Sequence, residues 1–275
     1  MSTIETRDGT VLHVKQWGEG RPVILLHGWP LSADSWDDHA LRIAEAGMKA
    51  IAYDRRGFGR SGQAWAGYDY DTLADDLADV IAATGAENAA LVGFSMGGGE
   101  VARYMSRHGG RNVRQAALIA SVVPYMLRTA DNPDGTPQAT FDEIEAGIRE
   151  DRARFFAQFF RSFYGVGIFE HPVSQEVLDW SVNQSMLAGL HPTLACARAF
   201  ATTDFRGDLA AFSVPTLIVH GTKDDTVPID PAGRAAARGI SGSRLIEYEG
   251  APHGLLATHK EDITRDLLAF LMERH

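Results

Sequence analysis

Ala89-Ala90-Leu91-Val92-Gly93-Phe94-Ser95-Met96-Gly97-Gly98-Gly99-Glu100-Val101-Ala102 passes from a buried apolar run through glycines into helix-like sequence. This is the strand–elbow–helix context in which Gly-x-Ser-x-Gly acquires a chemical meaning. Gly93 and Gly97 must be small for a strand and a helix to meet across so tight a turn. Ser95 then presents its hydroxyl at a helix start, where backbone N–H groups and the helix dipole favour a developing oxyanion. Standing alone, the motif also fits a plain glycine-rich turn, so its meaning depends on the rest of the chain.

Around this stretch, strand-like and helix-like segments alternate. Val11 to Trp17 alternates like a half-exposed first strand, and Pro22 to Leu26 is a continuous apolar run, as in a strand buried on both faces. Ser32 to Gly47 predicts a helix with a glycine stop. Ala50 to Tyr53 predicts a strand, Asp71 to Thr84 an amphipathic helix, and Ala116 to Ala120 another strand. The rhythm resumes at Pro215 to Val219, with a helix around Pro231–Arg238, a strand over Arg244–Tyr248 and a last helix over Glu261–Met272. Such alternation implies an α/β fold with a mostly parallel sheet and helices on both faces. Between about 125 and 205 no buried strand is evident. The expected organisation is a core over 1–123, a helical cap over 124–205 and the rest of the core over 206–275.

Composition narrows the function classes. The 275 residues are 45% hydrophobic and 23% charged, with a formal net charge of -10. That suits a globular protein with a large core and disfavours nucleic-acid or anionic-membrane partners. The one cysteine excludes an intramolecular disulfide or a cysteine-based metal cluster, and Cys196 reads as a small core hydrophobe. The first residues lack the apolar segment of a signal peptide, and no run approaches the roughly 20 residues of a membrane helix. Cytoplasmic location is therefore expected, and the sequon at Asn183-Gln184-Ser185 is read as coincidence.

In an open parallel sheet, ligands bind beyond the carboxyl ends of the strands. The predicted strand ends carry His27-Gly28-Trp29-Pro30, the Ser95 elbow, His220-Gly221-Thr222-Lys223-Asp224-Asp225, and Ala251-Pro252-His253-Gly254. A serine, an acid and a histidine thus follow one another in the order Ser…Asp…His expected of α/β-hydrolases. A serine hydroxyl needs an adjacent base, and His253 can take its proton and return it to a leaving group. A buried carboxylate must hold the imidazole tautomer and offset its charge. Asp224 is the first choice for that acid and Asp225 the fallback. The oxyanion needs two backbone donors. Met96, just after the nucleophile, supplies one and Trp29 the other, since Pro30 has no N–H. His27 and His220 are expected to be structural, hydrogen-bonding their loops.

Other motifs are rejected. Gly57-Phe58-Gly59-Arg60-Ser61-Gly62 fits a dinucleotide fingerprint in its letters, but no helix opens directly after it. Asp37-Asp38-His39 reads as a solvated helix face, not a metal site, and no metal is expected. Phe155, Phe156, Phe159, Phe160 and Phe163 cannot all share one helix face, so some should pack the cap and others wall an apolar pocket. Phe159 and Phe163 share a face at i, i+4 spacing. The expected pocket residues are Pro30, Phe94, Val122, Tyr125, Phe159, Phe163 and Val227.

His27 to Ser32, Asp54 to Ser61, Gly93 to Glu100 and Ala251 to Gly254 resemble the cofactor-free bacterial haloperoxidases, which group with arylesterases and perhydrolases among the α/β-hydrolases. The resemblance runs over nearly the whole chain and is weakest in the cap. Asp131 to Gly135 and Gly221 to Asp224 also look like a γ-lactam hydrolase. The resemblance implies about eight strands, a helical cap and the acid at Asp224. Pro30 is the residue that perhydrolase-type members carry after the tryptophan. It further implies an acyl-enzyme that water, or hydrogen peroxide in its place, resolves, and halide oxidation by the released peracid without metal or haem. Relatives of this kind assemble as homo-oligomers.

The leading expectation is a serine hydrolase of small apolar carboxylic esters with perhydrolase activity and no cofactor. Its partners would be a small-molecule ester, peroxide or lactam. A γ-lactam amidohydrolase on the same triad is the enzyme alternative, and a non-catalytic ligand receptor on this scaffold is the alternative of another class. Dehalogenase and epoxide hydrolase readings are disfavoured, because those relatives carry aspartate where this chain has Ser95.

Overall fold

The computed structural model describes residues 2–273; Met1, Arg274 and His275, at the ends of the first and last expected segments, lie outside it. Eight strands form one sheet: β1 (Ser2–Glu5), β2 (Val11–Trp17), β3 (Arg21–Leu26), β4 (Met48–Tyr53), β5 (Ala89–Phe94), β6 (Val113–Ile119), β7 (Thr216–Gly221) and β8 (Arg244–Tyr248). Their order is β1-β2-β4-β3-β5-β6-β7-β8. β2 runs antiparallel to both neighbours, and the strands from β4 to β8 are parallel. β1 had no sequence signal, because it is a largely exposed edge strand with no buried face to impose alternation. Every residue of β5 and β7 is buried, which is why both read as unbroken apolar runs.

Helices cover both faces. The span expected as one helix after Ser32 is two pieces: Ser32 caps a tight turn over Ala33–Trp36, and α1 (Asp37–Glu45) follows, the chain reversing at Gly47 with φ 81°. α2 (Tyr70–Thr84) begins at Asp69, whose carboxylate accepts from Thr72 N–H at 2.9 Å, and stops at left-handed Gly85. It buries Leu73, Leu77, Val80 and Ile81. α3 (Met96–Arg107) follows β5 directly. Between β6 and β7 lie α4 (Gln138–Phe163, broken at Asp151), α5 (Gln175–Leu187) and α6 (Leu190–Thr202). A short π-turn at Asp230–Arg234 leads into α7 (Ala235–Gly239), and α8 (Leu255–Thr258) and α9 (Lys260–Met272) close the chain.

His39 corrects the expectation of a solvated face. Asp37 and Asp38 lie outward on α1, but His39 is buried, its Nδ1 2.9 Å from Thr264 Oγ1 and its Nε2 3.1 Å from Leu256 O. One helix turn places neighbours about 100° apart, so a run of three polar residues still sends one inward. Cys196 is fully buried, and burial pushes its thiol up to about 12.

Candidate active site

The turn from β5 into α3 holds Ser95 at φ 53°, ψ -117°, a conformation that costs about 1–3 kcal/mol outside glycine. Space around it has been cleared. A Cβ on Gly93 would lie 2.5 Å from Gly97 O, and one on Gly97 would lie 2.4 Å from Leu26 O. Ser95 N–H donates to Ile119 O at 2.9 Å, and its carbonyl accepts from Gly98 N–H at 3.0 Å. The elbow is thereby pinned to β6 and to its own helix.

The loop after β8 brings His253 Nε2 to 2.9 Å from Ser95 Oγ. The loop after β7 brings Asp224 Oδ2 to 2.6 Å from His253 Nδ1. The other oxygen, Oδ1, accepts from Val227 N–H at 2.7 Å and Thr226 N–H at 3.0 Å. Burial pushes the Asp224 carboxyl up, but His253 and the hydrogen bonds from His220 and His253 outweigh it and hold it down at about 2. A carboxylate at Asp224 therefore requires the Nδ1–H tautomer of His253, leaving Nε2 free to accept the Ser95 proton. Asp225, the fallback acid, is exposed and lines the cavity instead.

His27 and His220 both bond their loops. His220 Nε2 lies 2.8 Å from Val227 O and 3.3 Å from Asp224 Oδ2, so it also reaches the acid. His27 Nδ1 meets Gly28 O at 2.9 Å, while its Nε2 accepts from Arg55 N–H at 2.9 Å. Among the described residues, neither Trp29 N–H nor Met96 N–H donates to a protein acceptor. A Cβ on Gly28 would come within 3.1 Å of Ser95 Cβ, so the Gly28–Trp29 loop sits directly against Ser95.

Ser95 and His253 open into a cavity of about 190 Å³. That is below the roughly 300–1,000 Å³ usual for drug-sized ligands, which favours a small substrate. Trp29, Val122, Val227, Phe159, Phe200 and Phe141 are among its walls. The Trp29 indole joins core to helices: its N–H donates to Thr193 O at 3.0 Å, and its ring meets Phe159 at 5.6 Å and Phe200 at 5.4 Å.

Four expected pocket residues lie elsewhere. Phe94 and Phe163 are buried against the His253 ring, at 5.3 and 4.8 Å, and face a different groove. Their place is behind the imidazole because each continues a backbone segment that already packs there. Pro30 is buried beyond the Trp29 peptide and does not line the cavity. Tyr125 turns away to stack under Arg206, 5.0 Å from its ring. Met126, Thr140, Phe141, Ile144, Ser162 and Phe200 take those positions and had not been anticipated. Helical spacing groups Phe141 with Ile144 on one face, but nothing in it says which way that face points.

Comparison with known proteins agrees with this fold. A model of the alpha/beta hydrolase fold family matches residues 21–260. A non-heme chloroperoxidase of Kitasatospora aureofaciens is 41% identical over 273 residues, spanning 98% of this chain and 99% of the relative. A bifunctional esterase/perhydrolase of Acinetobacter calcoaceticus is 41% identical over 275 residues, with the same coverage of 98% and 99%. Among solved structures, a bromoperoxidase from Bacillus anthracis superimposes with a TM-score of 0.95 at 39% identity, covering 99% of this chain and 100% of that one.

Proposed function

Because the chain belongs to the α/β-hydrolase family, in the group that holds non-heme haloperoxidases and esterase/perhydrolases, we propose that it hydrolyses small apolar carboxylic esters through an acyl-enzyme and forms peracids when hydrogen peroxide replaces water. The observation that carries this reading is the chain Ser95–His253–Asp224, with contacts of 2.9 and 2.6 Å, at the wall of a small apolar cavity.

Ser95 Oγ attacks the ester carbonyl carbon as His253 Nε2 takes its proton. Asp224 stabilises the resulting imidazolium. The carbonyl oxygen gains a negative charge and is met by Trp29 N–H and Met96 N–H. When the intermediate collapses, the C–O bond to the alcohol breaks, and His253 returns the proton to the departing alkoxide. Water then attacks the acyl group with His253 as base, giving the acid and free Ser95. Hydrogen peroxide attacking at the same point gives a peracid. Released peracid oxidises halide in solution: the O–O bond breaks, the terminal OH passes to the halide as hypohalous acid, and the carboxylate leaves with the bonding pair. This route uses only the side chains and N–H groups named above. Residues 124–205 act as a cap over the core formed by 1–123 and 206–275. The exposed Ile168, Phe169, Leu187 and Leu190 of that cap fit a homo-oligomer, which size-exclusion chromatography tests, and cell fractionation tests its cytoplasmic location.

Steady-state hydrolysis of p-nitrophenyl acetate, with Ser95→Ala alongside and a chelator present, tests the reading. Wild-type turnover should fall by at least ~10⁴-fold in the variant. Equal turnover in both proteins would refute a serine mechanism. A kcat/KM tenfold or more higher for a bicyclic γ-lactam than for the ester would replace the ester reading with an amidohydrolase.

A further inference from the structure

The Gly28–Trp29 peptide carries a donor assigned above to the oxyanion, and its carbonyl is held from behind. Gly28 O accepts from Leu31 N–H at 3.0 Å and contacts His27 Nδ1 at 2.9 Å. The tautomer follows from His27's other nitrogen. Nε2 accepts from Arg55 N–H, so the ring proton is on Nδ1, which donates to Gly28 O. Burial and the neighbouring Arg55 push the His27 imidazole well down, keeping it neutral. In a planar trans peptide, C=O and N–H point in opposite directions. Two donors on the Gly28 carbonyl therefore fix the direction of Trp29 N–H and polarise it as a donor.

Behind His27 lies a second layer. Arg55 Nη2 donates to His27 O at 2.6 Å, and its Nε donates to Glu100 Oε1 at 2.6 Å. Glu100 Oε2 accepts from Tyr53 OH at 2.9 Å. All four side chains are buried. Glu100 stands on α3, the helix whose first residue is Met96, so both oxyanion donors are referred to one rigid element.

We propose that His27 is a positioning residue for the oxyanion site: its Nδ1–H holds the Gly28 carbonyl and so aims the Trp29 N–H, with Arg55 and Glu100 fixing the loop behind it. This rests on the serine-hydrolase reading. Two substitutions separate the ring's two bonds. The His27→Asn amide can replace Nδ1–H as donor to Gly28 O. The His27→Gln oxygen can replace Nε2 as acceptor for Arg55 N–H but leaves Gly28 O with one donor.

With p-nitrophenyl acetate, His27→Gln should lower kcat by about 10²-fold, the scale of losing one oxyanion donor, with KM changed less than about twofold. Its affinity for a trifluoromethyl ketone, which forms a tetrahedral oxyanion on serine, should fall by a similar factor. His27→Asn should stay within about threefold of wild type on both readouts. Equal losses in the two variants at equal Tm, or an unchanged kcat in His27→Gln, would overturn the proposal. Where His27→Gln does not fold, Arg55→Lys substitutes: an ammonium lacks the planar guanidinium fork whose Nε and Nη2 together span Glu100 and His27 O, so kcat should drop by about tenfold at constant KM, and an unchanged kcat overturns the proposal. Wild-type protein that neither turns over the ester nor binds the ketone would instead sink the hydrolase reading itself.

Discussion

The loops beyond β5, β7 and β8 and the helices between β6 and β7 border the same cavity, but they are built by opposite means. In the loops, Ser95, Asp224 and His253 are held by directional hydrogen bonds: Asp224 alone meets His253, Thr226, Val227 and His220. In α4 and α6 the cavity wall is built of rings: Phe159 and Phe200 pack edge-on against Trp29, and the fully buried Phe156 packs on the same indole, at 5.4–5.6 Å. Hydrogen bonds fix angle and distance, whereas apolar packing fixes volume and tolerates exchange of shape. The loops should therefore decide whether chemistry occurs, and the helices which molecule it occurs on.

The largest effect should come from the loops. Asp224→Asn should lower kcat by about 10⁴-fold through the wrong His253 tautomer, while Asp225→Asn should change it by less than about threefold; steady-state kinetics of both variants checks this. Comparable losses would erase the distinction between the paired acid and its exposed neighbour. Next in size is the elbow itself. Gly93→Ala puts a methyl 2.5 Å from the Gly97 carbonyl, where only backbone could move, and should cost about 3 kcal/mol in urea unfolding.

Polar pairing in the core should also leave a pH signature that ring packing lacks. Burial lowers the His39 imidazole to about 4, so the fold keeps it neutral while the unfolded chain protonates below about 6.5. The unfolded state then binds more protons as pH falls from about 6.5 to 4, and stability is lost over that window and not above it. Between pH 7 and pH 5 the His39 share of this loss is about 2 kcal/mol, so urea unfolding of His39→Gln should lose about that much less than wild type over the same window, the buried His27 adding loss of the same sign in both proteins.

The smallest effect belongs to the helical wall. Phe159→Ala should raise the butyrate-to-acetate ratio of kcat/KM for p-nitrophenyl esters by about tenfold, the worth of one or two methylenes, with the acetate rate little changed. A collapse of the acetate rate would mean that this wall also positions the chemistry.

Legibility in the sequence divides along the same line. β3, β5 and β7 read as apolar runs because both faces are buried, and α2 was visible through its apolar stripe, whereas its Asp69 cap and Gly85 stop came only with the structure. β1 was invisible because an exposed edge strand carries no such pattern. Ser95, Asp224 and His253 stood out because each sits just past a strand, near glycines that a tight turn demands. Phe94 and Phe163 were misplaced because helical and strand spacing says which residues share a face, not what that face meets.

By itself, then, the sequence determined the alternation of strands and helices from β2 onward outside residues 125–205, the elbow at Ser95, and the short list of side chains able to act with it. Those are local properties, written in periodicity and in the steric needs of single residues. Tertiary structure alone decided that His253 lies 2.9 Å from Ser95 across 158 positions of chain, that His39 is buried, and which rings wall the cavity. Each of these depends on how separate elements dock, and docking is settled by the summed packing of surfaces that no one segment contains.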